Sequence, residues 1–474
     1  MRENIYLRIF EELLDDNFQS KIELFDELNI ADKPISSKNE LRQKLNISTF
    51  LLEKYLLQLN QDVFSVFGTY LFEQDHHFVK LSSNRNCNKK ELLRYYLKKS
   101  IKINLLHHLF LKKFTIVSFS MCFFISQSKV YKELQILKTT LKYIEVNIST
   151  GFSITGPLET LEMLMMDIYI IFDDKEVTSY RQDLMRILKK NYDVVVSTTF
   201  IYHCEVYLNV ANYRSYNGYD ITCLDYYKVN EESKLNEEIE ELIRKHYPRL
   251  NAKDLLIIKK NIIIYFENHF NFSIENVRDE SVLNEGKLFL NYLKRKDLDL
   301  KEEVFQQLKE DTIKYFCLSK NILNDKRDII AREEFIFFKK YYPAHYQIIE
   351  DFVQVYDGTE MLFNSCYVLE KMLISLIENV NLYEILPKYY ICVDVRGSQS
   401  YNKAIKRYLT MHLLFPVEVS WSLTEGTQLI ITDHPELYRD KLETIIWNEP
   451  INSSQFKELT DKINDWVYLN VHKS

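Results

Sequence analysis

The stretch from Phe114 to Pro157, FTIVSFSMCFFISQSKVYKELQILKTTLKYIEVNISTGFSITGP, constrains the chain more than any other. Ser126 stands where an N-cap belongs, directly after an apolar run that ends at Ile125. Val130, Leu134, Leu137, Leu141 and Ile144 then recur at helical spacing and mark one buried face. The opposite face carries Ser128, Tyr131, Lys132, Gln135, Thr139 and Lys142. Beyond the helix, Tyr143 to Ser149 alternates as a strand with Ile144, Val146 and Ile148 on one side. Thr150-Gly151 can turn, and Phe152-Ser153-Ile154 returns as a second strand. Helix, tight turn, helix and hairpin in that order make a winged helix-turn-helix, which lays its second helix in a DNA major groove. Small, polar and basic side chains on the outer face suit base edges and phosphates. A plain amphipathic core helix followed by a hairpin has the same periodicity, so charge must separate the two readings.

From Lys80 to Lys142 fourteen basic residues stand against two acids, Glu91 and Glu133, a balance of +12 inside a chain of net charge −7. A basic island in an acidic protein marks a polyanion partner. Lys112, Lys113, Lys129 and Lys138 belong to it and join the candidate DNA contacts.

The chain has 474 residues, enough for about three to five domains. Only 8 glycines and 8 prolines occur, which with abundant Leu, Ile, Lys and Glu argues for a largely helical chain with short connections. The seven cysteines (Cys87, Cys122, Cys204, Cys223, Cys317, Cys366 and Cys392) are scattered and include no CxxC pair. That pattern fits a reducing cytoplasm and argues against a zinc site or a disulfide framework. The N-terminus MRENIYLRIFEELLDD is amphipathic and acidic, unlike a signal peptide. The longest apolar run, Phe114 to Ile125, is too short to cross a bilayer. The expectation is a soluble cytoplasmic protein that needs neither metal nor cofactor.

In chain order, residues 1–30 read as one or two acidic amphipathic helices. Ser37 and Glu40 form an S-x-x-E capping box, with Leu41 and Leu45 on the inner face of the helix that follows. Asn46 suits the tight turn, and Ser48 caps a further helix with the buried stripe Leu52, Leu56, Leu59 and Val63. This is a second helix-turn-helix candidate, with Thr49 and Lys54 on its outer surface, or a helical hairpin that only packs. Residues 64–88 read as a small wing and a linker; His76-His77 suit a surface turn better than a metal site. Two helices over 89–112 complete the winged domain, and Leu158 to Phe172 is an apolar helix.

Residues 173–384 read as helical throughout and carry a degenerate repeat. TFIYHCEVYLNVANYR (Thr199–Arg214) aligns without gaps on TIKYFCLSKNILNDKR (Thr312–Arg327), and KHYP (Lys245–Pro248) matches KYYP (Lys340–Pro343). The first copy carries an insertion after Tyr216. From Tyr389, strands YYICVDV, VEVSW, LIITDH and TIIW alternate with helices SYNKAIKRYLTMHLL and SQFKELTDKINDWVYL, the pattern of a small α/β domain with a mainly parallel sheet. Arg396-Gly397-Ser398-Gln399-Ser400 follows the first strand, where such folds place a phosphate loop, though an ordinary turn fits a single glycine better.

This order of parts resembles the Mga/AtxA-like transcriptional regulators of Gram-positive bacteria, over essentially the whole chain. FISQSKVYKELQILKTTLKYIEVNISTGFSITGP is the most specific stretch, with S-x-S-x-x-Y-x-x-L followed by a hairpin and a glycine. The resemblance implies a mainly α, multidomain chain: helix-turn-helix module 1–68, winged helix-turn-helix 69–170, PRD-like helical bundles 171–284 and 285–384, and an IIB-like α/β domain 385–474. It implies DNA contacts from Ser126, Ser128, Lys129, Lys132 and Gln135, and regulatory phosphorylation at His203 by the sugar phosphotransferase system. Phe316 replaces that histidine in the second copy, His345 in YYPAHYQ lies outside the matching context, and Cys392 falls inside the first tail strand rather than in the loop after it. Phosphoryl transfer by the tail is therefore not expected.

The reading is a non-enzymatic regulator that binds double-stranded promoter DNA as a homodimer, with RNA polymerase and the phosphocarrier protein of the phosphotransferase system as partners and no membrane association. The alternatives are an RNA-binding antiterminator with the same paired bundles, and a phosphotransferase carrier component.

Overall fold

A computed structural model of the protein describes residues 10, 12–30, 35–82, 87–111, 114–172, 179–230, 233–296, 300–320, 337–339, 341–355, 365–382, 388–395, 403, 405–407, 409, 417–434, 442–447, 458–463 and 466. The chain divides into two compact units, residues 3–271 and residues 272–320 with 330–474.

The first unit opens with α1 (Asp16–Ile30), β1 (Ile35–Ser37), α2 (Lys38–Lys44), α3 (Thr49–Phe67), β2 (Phe72–Gln74) and β3 (Phe78–Leu81). Helix α3 forms where its cap and stripe require. Ser48 Oγ accepts the Leu51 N–H at 3.2 Å, Asn46 turns the chain at φ 51°, and Leu52, Leu56, Leu59 and Val63 are buried. The helix runs further than expected, through Phe67 to a left-handed Gly68 at φ 71°, so the wing begins only at β2. The expected capping box is absent. Ser37 occupies the N-cap of α2 but makes no side-chain cap bond, because its backbone is committed to β1 opposite Phe78. The three strands form an antiparallel sheet in the order β1-β3-β2. The Asn60 amide on α3 clamps its edge, donating to the Phe72 carbonyl at 3.0 Å and accepting the Leu71 N–H at 2.8 Å. His76 and His77 lie exposed on the β2–β3 turn, where Asp75 accepts the N–H groups of His77 and Phe78.

Helices α4 (Lys89–Lys99), α5 (Ile101–Phe110), α6 (Ile116–Cys122) and α7 (Gln127–Leu141) follow, with the hairpin β4 (Asn147–Ile148) and β5 (Ile154–Thr155). Helix α6 starts at a capping box between Thr115 and Ser118. Phe124 at φ 52° makes the turn into α7, whose N-cap is Ser126, with Oγ accepting the Lys129 N–H at 3.2 Å. Val130, Leu134, Leu137 and Leu141 are buried as their spacing requires, each worth roughly 1.5–3 kcal/mol of burial. The strand expected from Tyr143 to Ser149 is shorter than read. Lys142–Ile144 continue as a turn of 3-10 helix and Glu145 reverses the chain at φ 59°, leaving two residues in β4. Ile144, Val146 and Ile148 nonetheless share the buried side. The hairpin is closed by the Ser149 N–H donating to the Ser153 carbonyl at 2.9 Å, with the two hydroxyls 2.7 Å apart. Gly156 passes so close to the preceding chain that a Cβ there would lie 3.0 Å from the Glu145 carbonyl oxygen and 3.1 Å from Val146 Cγ2.

Helix α8 (Leu158–Phe172) leads into a bundle of α9 (Ser179–Tyr192), α10 (Thr198–Tyr216), α11 (Lys234–His246) and α12 (Ala252–Phe270). One hydrophobic core extends from Phe10 to Phe266. The segment after Tyr216, expected as helix or insertion, is non-helical from Gly218 to Asn230 and is tied down by buried polar groups. Asn261 on α12 donates to the Thr222 carbonyl and the Tyr207 hydroxyl, at 2.7 Å each, and accepts the Leu224 N–H at 2.9 Å. Glu162 on α8 accepts the Thr222 N–H at 2.9 Å and faces Arg214 at 3.5 Å.

In the second unit α13 (Glu280–Arg295), α14 (Glu302–Ser319), α15 (Pro343–Val355) and α16 (Ser365–Asn379) pack together, α14 lying against both α13 and α16. The strands β6 (Tyr389–Asp394), β7 (Val417–Ser420), β8 (Leu429–Thr432) and β9 (Glu443–Ile446) form a fully parallel sheet in the order β7-β6-β8-β9, with β6 and β8 central and almost wholly buried. Cys392 is buried within β6.

The gapless alignment pairs residues that stand at different places in their helices. Thr199 sits exposed in the first turn of α10, whereas Thr312 is deep inside α14, buried and donating to the Leu308 carbonyl. Helix α14 ends at Ser319, where its counterpart Val206 is mid-helix. Cys204 and Cys317 are both buried. Arg327, Lys340 and the segment Arg396–Ser400 lie outside the described residues.

Candidate nucleic-acid interface

Helix α7 presents to solvent the side chains that its periodicity assigned outward. Ser128, Tyr131, Lys132, Gln135, Thr139 and Lys142 are all exposed, and Tyr143 extends the face with 64 % of its surface accessible. Lys138 is half-buried at the margin. The α6–α7 turn lies at one end of this face and the β4–β5 hairpin follows the other. Thr49 and Lys54 are exposed on α3 of the N-terminal module, at a separate helix. Lys112 and Lys113 fall outside the described residues.

The basic island is not a single surface patch, because several of its cations serve the fold. Lys102 is 5 % exposed; its Nζ donates to the Leu14 carbonyl at 2.8 Å and lies 3.8 Å from Asp15 and 3.9 Å from Glu133. Lys89 pairs with Asp26 at 2.7 Å. Arg94 Nε donates to the carbonyls of Ile170 and Ile171, at the C-terminal end of α8, where a cation complements the helix dipole. Lys129, a candidate phosphate contact, reaches forward one helical turn to Glu133 at 2.5 Å. That hydrogen bond raises the lysine's affinity for its proton and neutralises it toward the outside. Lys132 of α7 and Lys142 directly after it make no ion pair among the described residues, and both are exposed.

Glu133 is the inward counterpart of this face. It is 5 % exposed and stands between Lys102 of α5 and Lys129 of its own helix. Asp15 joins the same group, and burial pushes its carboxyl above the usual carboxylate range. The four charges tether α7 to α5 and to the residues just before α1. Sequence reading counted Glu133 only as an acid within the island; its position one turn after Lys129 on the core side was the available signal.

A second feature also escaped the sequence. The apolar run before Ser126 is not wholly buried: Val117, Met121 and Phe124 are 47 %, 70 % and 95 % exposed. A helix as short as α6 can turn only one face inward, and Ile116 and Phe119 occupy it. On the inner side the ring of Phe119 stacks on Phe123 at 4.3 Å, and His108 meets it edge-on at 5.4 Å. Burial lowers the pKa of both His107 and His108, which keeps these imidazoles neutral.

His203 is half-buried on α10. His345 is buried on α15, with Nε2 at 2.9 Å from the Val380 carbonyl. Among the described residues no three His, Cys, Asp or Glu side chains are grouped to hold a metal ion, and no helix is long and apolar enough to cross a membrane.

Fold and surface together define a winged helix-turn-helix protein, a DNA-binding class. Residues 85–169 match the Mga helix-turn-helix domain, which brackets α4 through β5 and most of α8. Over those residues the chain is similar to the Mga-like regulators, a family of DNA-binding transcription regulators. No curated protein matches the chain.

Proposed function

We propose that the protein regulates transcription by binding duplex promoter DNA as a homodimer, with α7 in the major groove and the β4–β5 wing beside the backbone. The observation that carries this reading is the α7 surface itself: six outward side chains, all polar or basic or tyrosine, on a helix that follows the turn of an Mga-type domain. Lys132 and Lys142 then act on phosphates, while Ser128 and Gln135 face base edges. Tyr131, Lys138 and Ser126 flank them, and Lys129 adds its charge only by leaving Glu133. The division at 1–68, 69–170, 171–284, 285–384 and 385–474 belongs to the same reading, with Thr49 and Lys54 of the first module as an accessory contact.

Activation through RNA polymerase, and control by a phosphocarrier acting on His203 of a PRD-like bundle, complete the proposal. A phosphoryl group on His203 would bring negative charge to a half-buried position of α10 and shift the packing of the bundle. The test is a mobility-shift titration of the full chain on A/T-rich promoter duplexes over a salt series, with Lys132→Ala as control. Binding that falls steeply with salt and weakens in the variant is expected. Equal binding by both proteins, or none to any duplex, would overturn the assignment to α7.

A further inference from the structure

A cavity of about 990 Å³ opens within the first unit, where the winged domain meets the first helical bundle. Helix α5 supplies His107 and Phe110, α8 supplies Tyr169 and Phe172, and α9, α10 and the end of α11 supply the rest. Its volume is at the upper end for small-molecule sites, which characteristically combine apolar walls with a few converging polar groups.

The walls are predominantly aromatic. His107 lies parallel on Phe172 with ring centroids 4.2 Å apart, and Tyr180 meets His246 edge-on at 5.3 Å. Among these rings stand paired polar groups. Tyr247 donates to Asn209 at 2.8 Å, and Asn209 donates to the Tyr169 hydroxyl at 2.8 Å. Arg181 is bound to Glu205, both side chains almost wholly buried. The two charges cancel, burial lowers the pKa of His107, and His246 stands against Asp183 at 3.4 Å, so the lining presents no unpaired charge to an ion. One group is not satisfied. Tyr180 is 3 % exposed and lines the cavity, yet its hydroxyl makes no hydrogen bond among the described residues. That oxygen is itself sealed from water, the exception for a buried hydroxyl, so an occupant of the cavity meets the Tyr180 ring and not its hydroxyl.

We infer that this cavity is an effector site for a neutral, ring-shaped compound bearing several hydroxyl groups, a saccharide or a nucleoside, held between the winged domain and the bundle. Aromatic faces stack on the ring, and the Tyr169 and Tyr247 hydroxyls, Asn209 and the Arg181–Glu205 pair meet its hydroxyls. Because α5 belongs to the DNA-binding domain and α10 to the bundle, an occupant touches both and biases the arrangement of one on the other. The Tyr213 hydroxyl already bridges them, donating to the Phe110 carbonyl at 3.0 Å in the cavity wall.

The test is calorimetric titration of the full chain with a series of neutral mono- and disaccharides and a series of nucleosides, with sugar phosphates and nucleotides as charged counterparts. Two variants accompany it. Asn209→Leu removes only the amide that links Tyr247 to Tyr169, and Asn212→Trp fills the cavity from a half-buried lining position. Saturable binding within one neutral series is expected, at least about tenfold weaker in Asn209→Leu and lost in Asn212→Trp; the responding series identifies the source. Absence of binding by every neutral probe at about 10 mM, ten times a millimolar Kd, would overturn the site. So would binding that both variants leave unchanged, or tighter binding of the phosphorylated counterparts.

Discussion

Replacing Glu133 by glutamine separates the two tasks of α7, because this one carboxylate holds the helix and masks its first lysine. The side chain is 5 % exposed, 3.9 Å from Lys102 and 2.5 Å from Lys129. Removing one partner of a buried pair costs about 3–5 kcal/mol when the other charge is left alone. Lys102 is not left alone: it keeps the Leu14 carbonyl at 2.8 Å and Asp15 at 3.8 Å. The Lys129 pair has one end in solvent, with 45 % of that side chain accessible, and adds less than about 1 kcal/mol. The expected loss is therefore about 2 kcal/mol, carried by α5 and α7. A chain of two units is poorly described by one unfolding midpoint, so hydrogen exchange of the α5 and α7 amides is the suitable assay. About 2 kcal/mol corresponds to roughly thirtyfold faster exchange there. The same variant releases Lys129, which steepens the dependence of log K on log salt for duplex DNA by about 0.9. Unchanged exchange would show that Glu133 does not anchor Lys102. Unchanged salt slope would show that Lys129 does not approach phosphate even when freed.

Other substitutions test the outer face and the wing. Lys132→Ala should weaken binding to every duplex alike and flatten the salt slope by about 0.9, whereas Gln135→Ala or Ser128→Ala should change sequence preference; equal losses for all three, on all sequences, would refute the division of labour. Gly156→Ala forces a Cβ to 3.0 Å from the Glu145 carbonyl oxygen, so the hairpin should lose about 1–2 kcal/mol, read as faster exchange of the β4–β5 amides. The depressed pKa values of His107 and His108 mean that the unfolded chain binds their protons more readily than the folded one. Stability is therefore complete above the ordinary histidine pKa of about 6.5 and declines as pH falls through it toward the folded values. Hydrogen exchange of the α5 and α6 amides across that window should show the decline, and His108→Phe should reduce it.

What could be read directly was local. Ser126 and Ser48 cap their helices, Asn46 takes the left-handed turn, and the stripe Val130, Leu134, Leu137 and Leu141 is buried, because caps and periodicities depend on residues one or two turns apart. The parallel sheet of the tail follows from the same kind of evidence, since strands separated by helices can scarcely pair otherwise. The outward face of α7 was legible for this reason, and with it the nature of the partner.

The tertiary structure decided which charges remain for that partner. Lys102 and Lys132 are indistinguishable as letters, yet one is buried against a carbonyl 88 residues earlier and the other faces solvent. Ser37 carries the letters of a capping box, but its backbone pairs with Phe78, and a strand partner outweighs a cap. Thr199 and Thr312 align in sequence and occupy different turns of their helices, because helix ends are set by what the helix packs against. The cavity beside Tyr180 draws its walls from His107 to Tyr247 and has no signature in any one segment. A residue's own neighbours in the chain determine its local conformation; only the fold determines which distant side chain neutralises a charge, satisfies a hydroxyl, or walls a cavity.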